Sequence, residues 1–469
     1  MSDNGCKIEQ FPMEGSQAVM KTESTHQLWL DKDDRYVWHS MKPYNPQATL
    51  IAARAKGCWV VDAAGRQYLD AMAGLWCVNV GYGREELAEA AYEQLKTLAY
   101  FPLTQSHLPA IQLGEKLSEL LGDEYVIFFS NSGSEANETA FKIARQYHQQ
   151  RGEPHRYKIV SRYRAYHGNS MGALSATGQA QRKYKYEPLA PGFIHVPPPD
   201  RYRDHDAADD PRQLRAVKAV DDAMTWELSE TIAAMIMEPI ITGGGVLMPP
   251  DGYMKAVKEV CEKHGALLIV DEVICGFGRT GKPFGFMHEE VKPDIITMAK
   301  GITSAYLPLA ATAVRKEIYE AFKGTDEYDY FRHVNTFGGH PAACAVALKN
   351  IEIMETERLF DRSREAGEWL LSALKTKLAD HPYVGDVRGR GLLVGIELVV
   401  DRATKEPLDV SLVNQVISQC KAHGVIIGKN GTTVAGYNNV LTLSPPLCIS
   451  DDELSLLVRV LTEALAAIQ

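Results

Sequence analysis

Short apolar runs alternating with longer amphipathic stretches restrict the fold more than any other feature of this chain. YVIFFS at residues 125–130 precedes EANETAFKIARQYHQQ, AAMIMEPI at 233–240 runs into three glycines, and ALLIVDEV at 266–273 follows YMKAVKEVCEKHG. A run without alternating polar positions has no face to show water, so it belongs in a strand covered on both sides. The expected fold class is therefore α/β, a mostly parallel sheet covered by helices. After Pro341 the pattern changes. Helical stretches through Ala379 lead to GDVRGRGLLVGIELV, a glycine-rich GKNGTTVAGYNN and the short run VLTLSPPL, which read as a smaller α+β domain. GCWVVDAAGRQYLDAMAG, near the start, suggests a hairpin that completes it. The expected division is an N-terminal segment 1–75 contributing to the small domain, a large domain 76–340 and a C-terminal small domain 341–469. The Pro- and Asp-rich run at 196–212 reads as a solvated loop.

Composition removes several function classes. A formal charge of -10 and the lack of a long Lys/Arg run argue against a nucleic-acid partner. The eight cysteines show no C-x-x-C and no ordered spacing to histidine, as expected of reduced thiols in a cytoplasm and not of a zinc site. The opening MSDNGCKIEQ lacks a basic region followed by an apolar one, and no run of about 18 apolar residues occurs, so neither a signal peptide nor a membrane span is expected.

The stretch LLIVDEVICGFGRTGK at 267–282 poses the chemical question. An apolar strand ends in Asp271 and Glu272, and carboxylates are rarely buried without a partner. GFGRTG satisfies G-x-G-x-x-G, but Pro283 and Gly285 stand where the dinucleotide fingerprint needs a helix. FFSNSGSEANE is the better anion site. A strand end, a turn at Gly133 and a helix start with capping spacing from Ser132 to Glu135 leave amides exposed at a positive dipole end, with the Ser134 hydroxyl beside them. Alone, this would be only a capped helix. Lys300, in DIITMAKGIT, ends another apolar run at the same sheet edge as Asp271, the edge where open α/β sheets bind ligands. An anion nest, an acid and an amine are what pyridoxal 5'-phosphate requires: a phosphate cradle, a partner for the ring nitrogen, and an amine that bonds the aldehyde as a Schiff base.

With these motifs assembled, the chain resembles the class III aminotransferases, the ω-transaminase branch of the fold type I pyridoxal-phosphate enzymes. The match is carried by SNSGSEANE, RAYHGN, MEPI, VDEVICGFGRTG, MAKGIT and HVNTFGGHPAACAVAL, in that order. The resemblance implies that Lys300 and Asp271 are catalytic and that Gly133 and Ser134 bind the cofactor phosphate. It implies that Tyr166 stacks on the ring with His167 beside it, that Val273 packs on the other face, and that Glu238 is the active-site glutamate. Thr336 is similar to the threonine that reaches the neighbouring subunit's cofactor, which implies a homodimer or a dimer of dimers. Trp76, in GLWCVNVGYG, matches a tryptophan lining the substrate pocket. Read without the resemblance, Tyr166, Val273 and Trp76 are equally ordinary core residues, and Glu238 a cap before Pro239.

Two positions depart from better-known branches. Thr442 stands where the GABA and ornithine branches carry an arginine for an α-carboxylate, and Asn169 where the GABA branch carries one for its ω-carboxylate. Lys429 is the cation left in the loop where pyruvate-using relatives supply an arginine. The resemblance is strongest to taurine–pyruvate and related amine–pyruvate aminotransferases. The expected reaction moves an amino group from taurine, β-alanine, a polyamine or an arylalkylamine to pyruvate, in a ping-pong cycle. An aminomutase or racemase of the same fold would share every cofactor residue, and an NAD-dependent oxidoreductase is the reading of GFGRTG set aside above.

Overall fold

A computed structural model of the chain describes residues 23–41, 44–45, 49–204, 210–431, 433 and 436–468. The opening segment with Cys6, parts of the 39–47 and 196–212 runs, and three positions of GTTVAGYNN lie outside the described residues. The chain divides into two compact units, residues 1–55 with 59–68, and residues 56–58 with 69–469.

The first unit carries the helix Glu23–Tyr36 and most of the strands β1 (Ala52–Lys56), β2 (Trp59–Asp62) and β3 (Gln67–Asp70). The expected hairpin is present. The Asp62 carboxylate closes its turn by accepting the amides of Ala64 and Arg66 at 2.9 Å each.

In the second unit the apolar runs become the strands β4 (Tyr125–Ser130), β5 (Lys158–Arg162), β6 (Phe193–Val196), β7 (Ile232–Met237), β8 (Leu267–Asp271), β9 (Ile295–Met298) and β10 (Ala310–Arg315). They form one sheet in the order β4-β10-β9-β8-β7-β5-β6, with β10 antiparallel to both neighbours and β9-β8-β7-β5-β6 parallel. Ile236, Ile269 and Ile295 pack in one core with Ala140, Ile143 and Ala144 of the helix Gly133–Gln150, whose alanines let it approach the sheet closely. Each such isoleucine contributes about 1.5–3 kcal/mol by burial. No helix opens from the GFGRTG glycines: turns follow β8 until a short 3₁₀ helix at Gly285–His288, so the dinucleotide fingerprint fails on its context.

The C-terminal part adds β11 (Val384–Arg390), β12 (Leu393–Leu398), β13 (Val425–Ile426), β14 (Gly428–Lys429) and β15 (Val440–Leu443). β11-β12-β15-β14 is an antiparallel sheet, while β13 pairs in parallel with Leu69 and Asp70.

The 196–212 run is not the solvated loop expected of it. Asp200 is buried and bonded to Arg164 at 2.7 Å, and Arg203 donates to the buried Glu397 at 2.7 Å, which also meets Arg388. Asp200 and Arg203 are neutralised by partners far away in sequence, which composition could not reveal, while Asp210 and the exposed Arg212 of the same run pair with each other. No described helix is long and apolar enough to cross a membrane, and the seven described cysteines form no disulfide.

Candidate active site

The parallel register of β8 and β9 sets Asp271 opposite Thr297, and Lys300 follows two residues beyond the end of β9. Both functional groups thus emerge at the C-terminal edge of the sheet. Lys300 adopts φ +50, left-handed backbone that is uncommon outside glycine and that persists only where surroundings impose it. The buried Asn350 imposes it here, donating to the carbonyls of Gly301 and Ile302 at 2.9 and 3.0 Å.

Asp271 is 3% exposed. Its Oδ2 accepts from Asn137 Nδ2 at 2.9 Å and from His167 Nδ1 at 2.8 Å, and Oδ1 accepts the Val273 amide at 3.1 Å. Asn137 also donates to the His167 carbonyl at 2.7 Å and accepts the Thr297 hydroxyl at 2.7 Å. The acid is therefore locked by a network that joins the helix Gly133–Gln150, β9 and the segment after β5.

At the helix start, Ser132 Oγ accepts the Glu135 amide at 3.3 Å, and Glu135 Oε2 accepts the Asn131 amide at 2.7 Å, one residue off the capping box expected. The Gly133 and Ser134 amides belong to the first helical turn, which has no intrahelical acceptors for them. A Cβ built on Gly133 would lie 3.1 Å from both Val273 methyls, so only glycine lets the turn sit against that residue. Ser134 Oγ accepts the Asn169 amide at 3.1 Å.

Tyr166 is held from behind. Its amide donates to Glu238 Oε1 at 3.1 Å, and Glu238 Oε2 accepts the Thr242 amide at 3.1 Å. Burial pushes the Glu238 carboxyl up from its ordinary range. Trp76 lies in a turn where Ala73, Gly74 and Trp76 all have positive φ, fixed by Asp70 accepting the amides of Met72 and Gly74 at 2.9 and 2.6 Å. The Lys300 amine stands 5.9 Å from the centre of the Trp76 ring. The structure thus brings together Gly133 with Val273, Ser134 with Asn169, His167 with Asp271, Tyr166 with Glu238, and Lys300 with Trp76.

Among the described residues, no hydrogen bond, ion pair or ring contact joins Thr336 or Lys429 to these. Thr336 is exposed and its carbonyl accepts the Tyr100 hydroxyl at 2.8 Å, while Val334 and Phe337 beside it are 66% and 63% exposed. Lys429 pairs on β14 with Leu441, is partly buried, and has its amine pushed down by that burial. Sequence reasoning missed Asn137 and Thr297. The available signal was an asparagine, a poor helix former, in the second turn of a helix.

One sheet edge thus gathers a buried acid, a helix start with donor amides and a lysine. Residues 40–465 match the family model of aminotransferase class III. An uncharacterized aminotransferase of Bacillus subtilis, YhxA, is 68% identical over 93% of this chain and 96% of its own length. A taurine–pyruvate aminotransferase of Bilophila wadsworthia is 41% identical over 93% and 96%. The crystal structure of a Bacillus anthracis aminotransferase superposes with a TM-score of 0.94 at 66% identity, covering 96% of this chain and all of that one.

The chain belongs to the class III aminotransferases, pyridoxal-phosphate-dependent enzymes that move an amino group between an amine and a keto acid. The residues fit that cofactor. Asp271 is a buried carboxylate with lone pairs to spare for a ring N–H, and the amides at the helix start are donors without helical acceptors.

Proposed function

We propose that this aminotransferase takes its amino group from an ω-amino acid or amine, of the taurine, β-alanine, polyamine or arylalkylamine type, and delivers it to pyruvate. The observation that carries the reading is the substitution of cations around the site. Thr442 is wholly buried with its hydroxyl on the Met72 sulfur, and Asn169 gives its amide to Ser134, so neither position offers a charge to a carboxylate. Lys429 is the nearby cation by sequence, and its amine is partly desolvated, with no hydrogen bond or ion pair among the described residues. The similarity to a taurine–pyruvate aminotransferase supports the same class of donor.

Bound pyridoxal phosphate supplies a protonated pyridine ring that draws electron density from the substrate carbon. Asp271 is assigned to hold that ring nitrogen protonated, with Asn137 and His167 orienting the carboxylate. The Lys300 amine is assigned to bond the resting cofactor and, once freed, to move the proton at the donor carbon. Gly133 and Ser134 would bind the phosphate, Tyr166 and Val273 enclose the ring, and Glu238 fix the Tyr166 backbone. Trp76 would line the donor pocket. The exposed Thr336 loop supports a homodimer in which Thr336 reaches the partner's cofactor phosphate, and the scattered cysteine spacing supports a cytoplasmic setting.

Alanine formation from pyruvate with a panel of amines tests the reading. Amino transfer to 2-oxoglutarate with none to pyruvate would overturn the acceptor, and isomerisation of an amine without any keto acid would favour the aminomutase alternative. For the dimer, mixing Lys300→Ala chains with Thr336→Ala chains is expected to restore activity, because one hybrid site is wholly native. Failure to complement despite subunit exchange would confine Thr336 to its own chain.

A further inference from the structure

Eight residues after Asn169, whose amide reaches Ser134, Thr177 accepts the His167 amide at 2.9 Å, and the chain continues through Gln179 into a single helical turn, Ala180–Lys183. The Arg182 guanidinium of that turn lies over the Tyr166 ring, 4.6 Å from its centre. Its Nε donates to Gln179 Oε1 at 3.0 Å, and the wholly buried Gln179 in turn donates to the Arg164 carbonyl at 3.1 Å. The plane of the guanidinium is therefore set by a side chain that is itself immobile. Gly243 closes the third side: a Cβ there would lie 3.2 Å from Gln179 Nε2 and 3.6 Å from Tyr166 Cβ.

We propose that Arg182 is a positioning residue, which clamps the Tyr166 ring by a cation–π contact and so fixes the aromatic plane on which the cofactor ring would rest. The proposal rests on the stacking role assigned to Tyr166. Three constraints converge on that tyrosine. Glu238 holds its backbone amide, Gly243 admits its Cβ, and Arg182 covers its ring. The last acts directly on the ring. The contact is stronger for being partly out of water, where a cation is attracted more strongly to an aromatic face. Burial pushes the Arg182 guanidinium down and the Tyr166 phenol up, and each charge works back against the other's shift, as expected of two groups facing one another. A purely structural arginine would need the Gln179 bond but not the ring.

The test compares Arg182→Met, Arg182→Lys and Tyr166→Ala, each as holoenzyme, by the visible circular-dichroism band of the bound cofactor and by the pyridoxal phosphate dissociation constant. Arg182→Met is expected to weaken cofactor binding by about tenfold and to reduce the band per bound cofactor. Arg182→Lys, which keeps a cation over the ring, is expected to recover most of both. An unchanged band and dissociation constant in Arg182→Met, alongside losses in Tyr166→Ala, would overturn the clamp while leaving the stacking role intact. No change in Tyr166→Ala would overturn both. A lower melting temperature in Arg182→Met with a wild-type band would reduce Arg182 to a structural residue.

Discussion

Asp271 is ringed by donors from three elements, whereas the side-chain amine of Lys429, on the short strand β14, forms no hydrogen bond or ion pair with the described residues. The first belongs to a region built on strand ends and a helix start, where each polar group is oriented by another: Thr297 holds Asn137, which holds Asp271 and the His167 carbonyl. The second belongs to a region of two-residue strands and turns. Groups that act in every turnover need fixed geometry, and networks of satisfied bonds provide it. A group that meets only the variable end of a substrate gains from being free to adjust. On the function proposed above, the reaction type would be set at the sheet edge and the choice of donor around Lys429.

Breaking the sheet-edge region should have the largest effects. Lys300→Ala is expected to lower turnover by about 10⁴ or more, since both covalent attachment and proton movement are lost. Borohydride reduction of the loaded wild type, then peptide mapping, should find the cofactor on Lys300, and a label on another lysine would remove it from this role. Asp271→Asn would remove one partner of the ion pair assigned to the ring nitrogen; breaking a buried pair costs about 3–5 kcal/mol, so it should cost two to three orders of magnitude in rate. Near-normal turnover at saturating cofactor would show that the ring nitrogen has another partner.

Lys429→Ala addresses the mouth and should be milder and selective. A charge-assisted bond contributes roughly 1.5–3 kcal/mol, so taurine or β-alanine should weaken by about one to two orders of magnitude while 1-phenylethylamine is spared. Equal losses for charged and neutral donors would assign Lys429 to pyruvate, and no loss for any would place the acid-binding group elsewhere.

The same contrast decides what could be read from the sequence. Strand ends and helix starts carry local signals, so Asp271, Lys300 and the turn at Gly133 could be found from apolar runs, spacing and capping residues alone. The partners that orient them could not. Asn137 and Thr297 are separated by 160 positions in the chain and meet only because the helix crosses the end of β9, and no spacing rule announces that. Arg203 and Glu397 are likewise brought together by the fold, which is why an acidic, Pro-rich run looked solvated while two of its charges are paired inside. Arg182 left no signal either, because a cation over a ring is a matter of direction and not of sequence distance.

The smallest expected effect concerns Glu272, which shares a strand end with Asp271 and has a different fate. Its side chain is fully buried and accepts the Gly285 and Phe286 amides at 2.9 and 2.7 Å, bonds that favour the ionised form. Burial opposes them and prevails, raising the carboxyl from its ordinary 4.5 to about 7. Between those values the native state holds a proton that the unfolded chain has released, so stability falls as pH rises through the window and levels off above it. The melting temperature of Glu272→Gln, which cannot titrate, should therefore gain on that of the wild type by a few degrees between about pH 5 and about pH 8. A constant gap across that range would mean the two amides hold Glu272 ionised throughout.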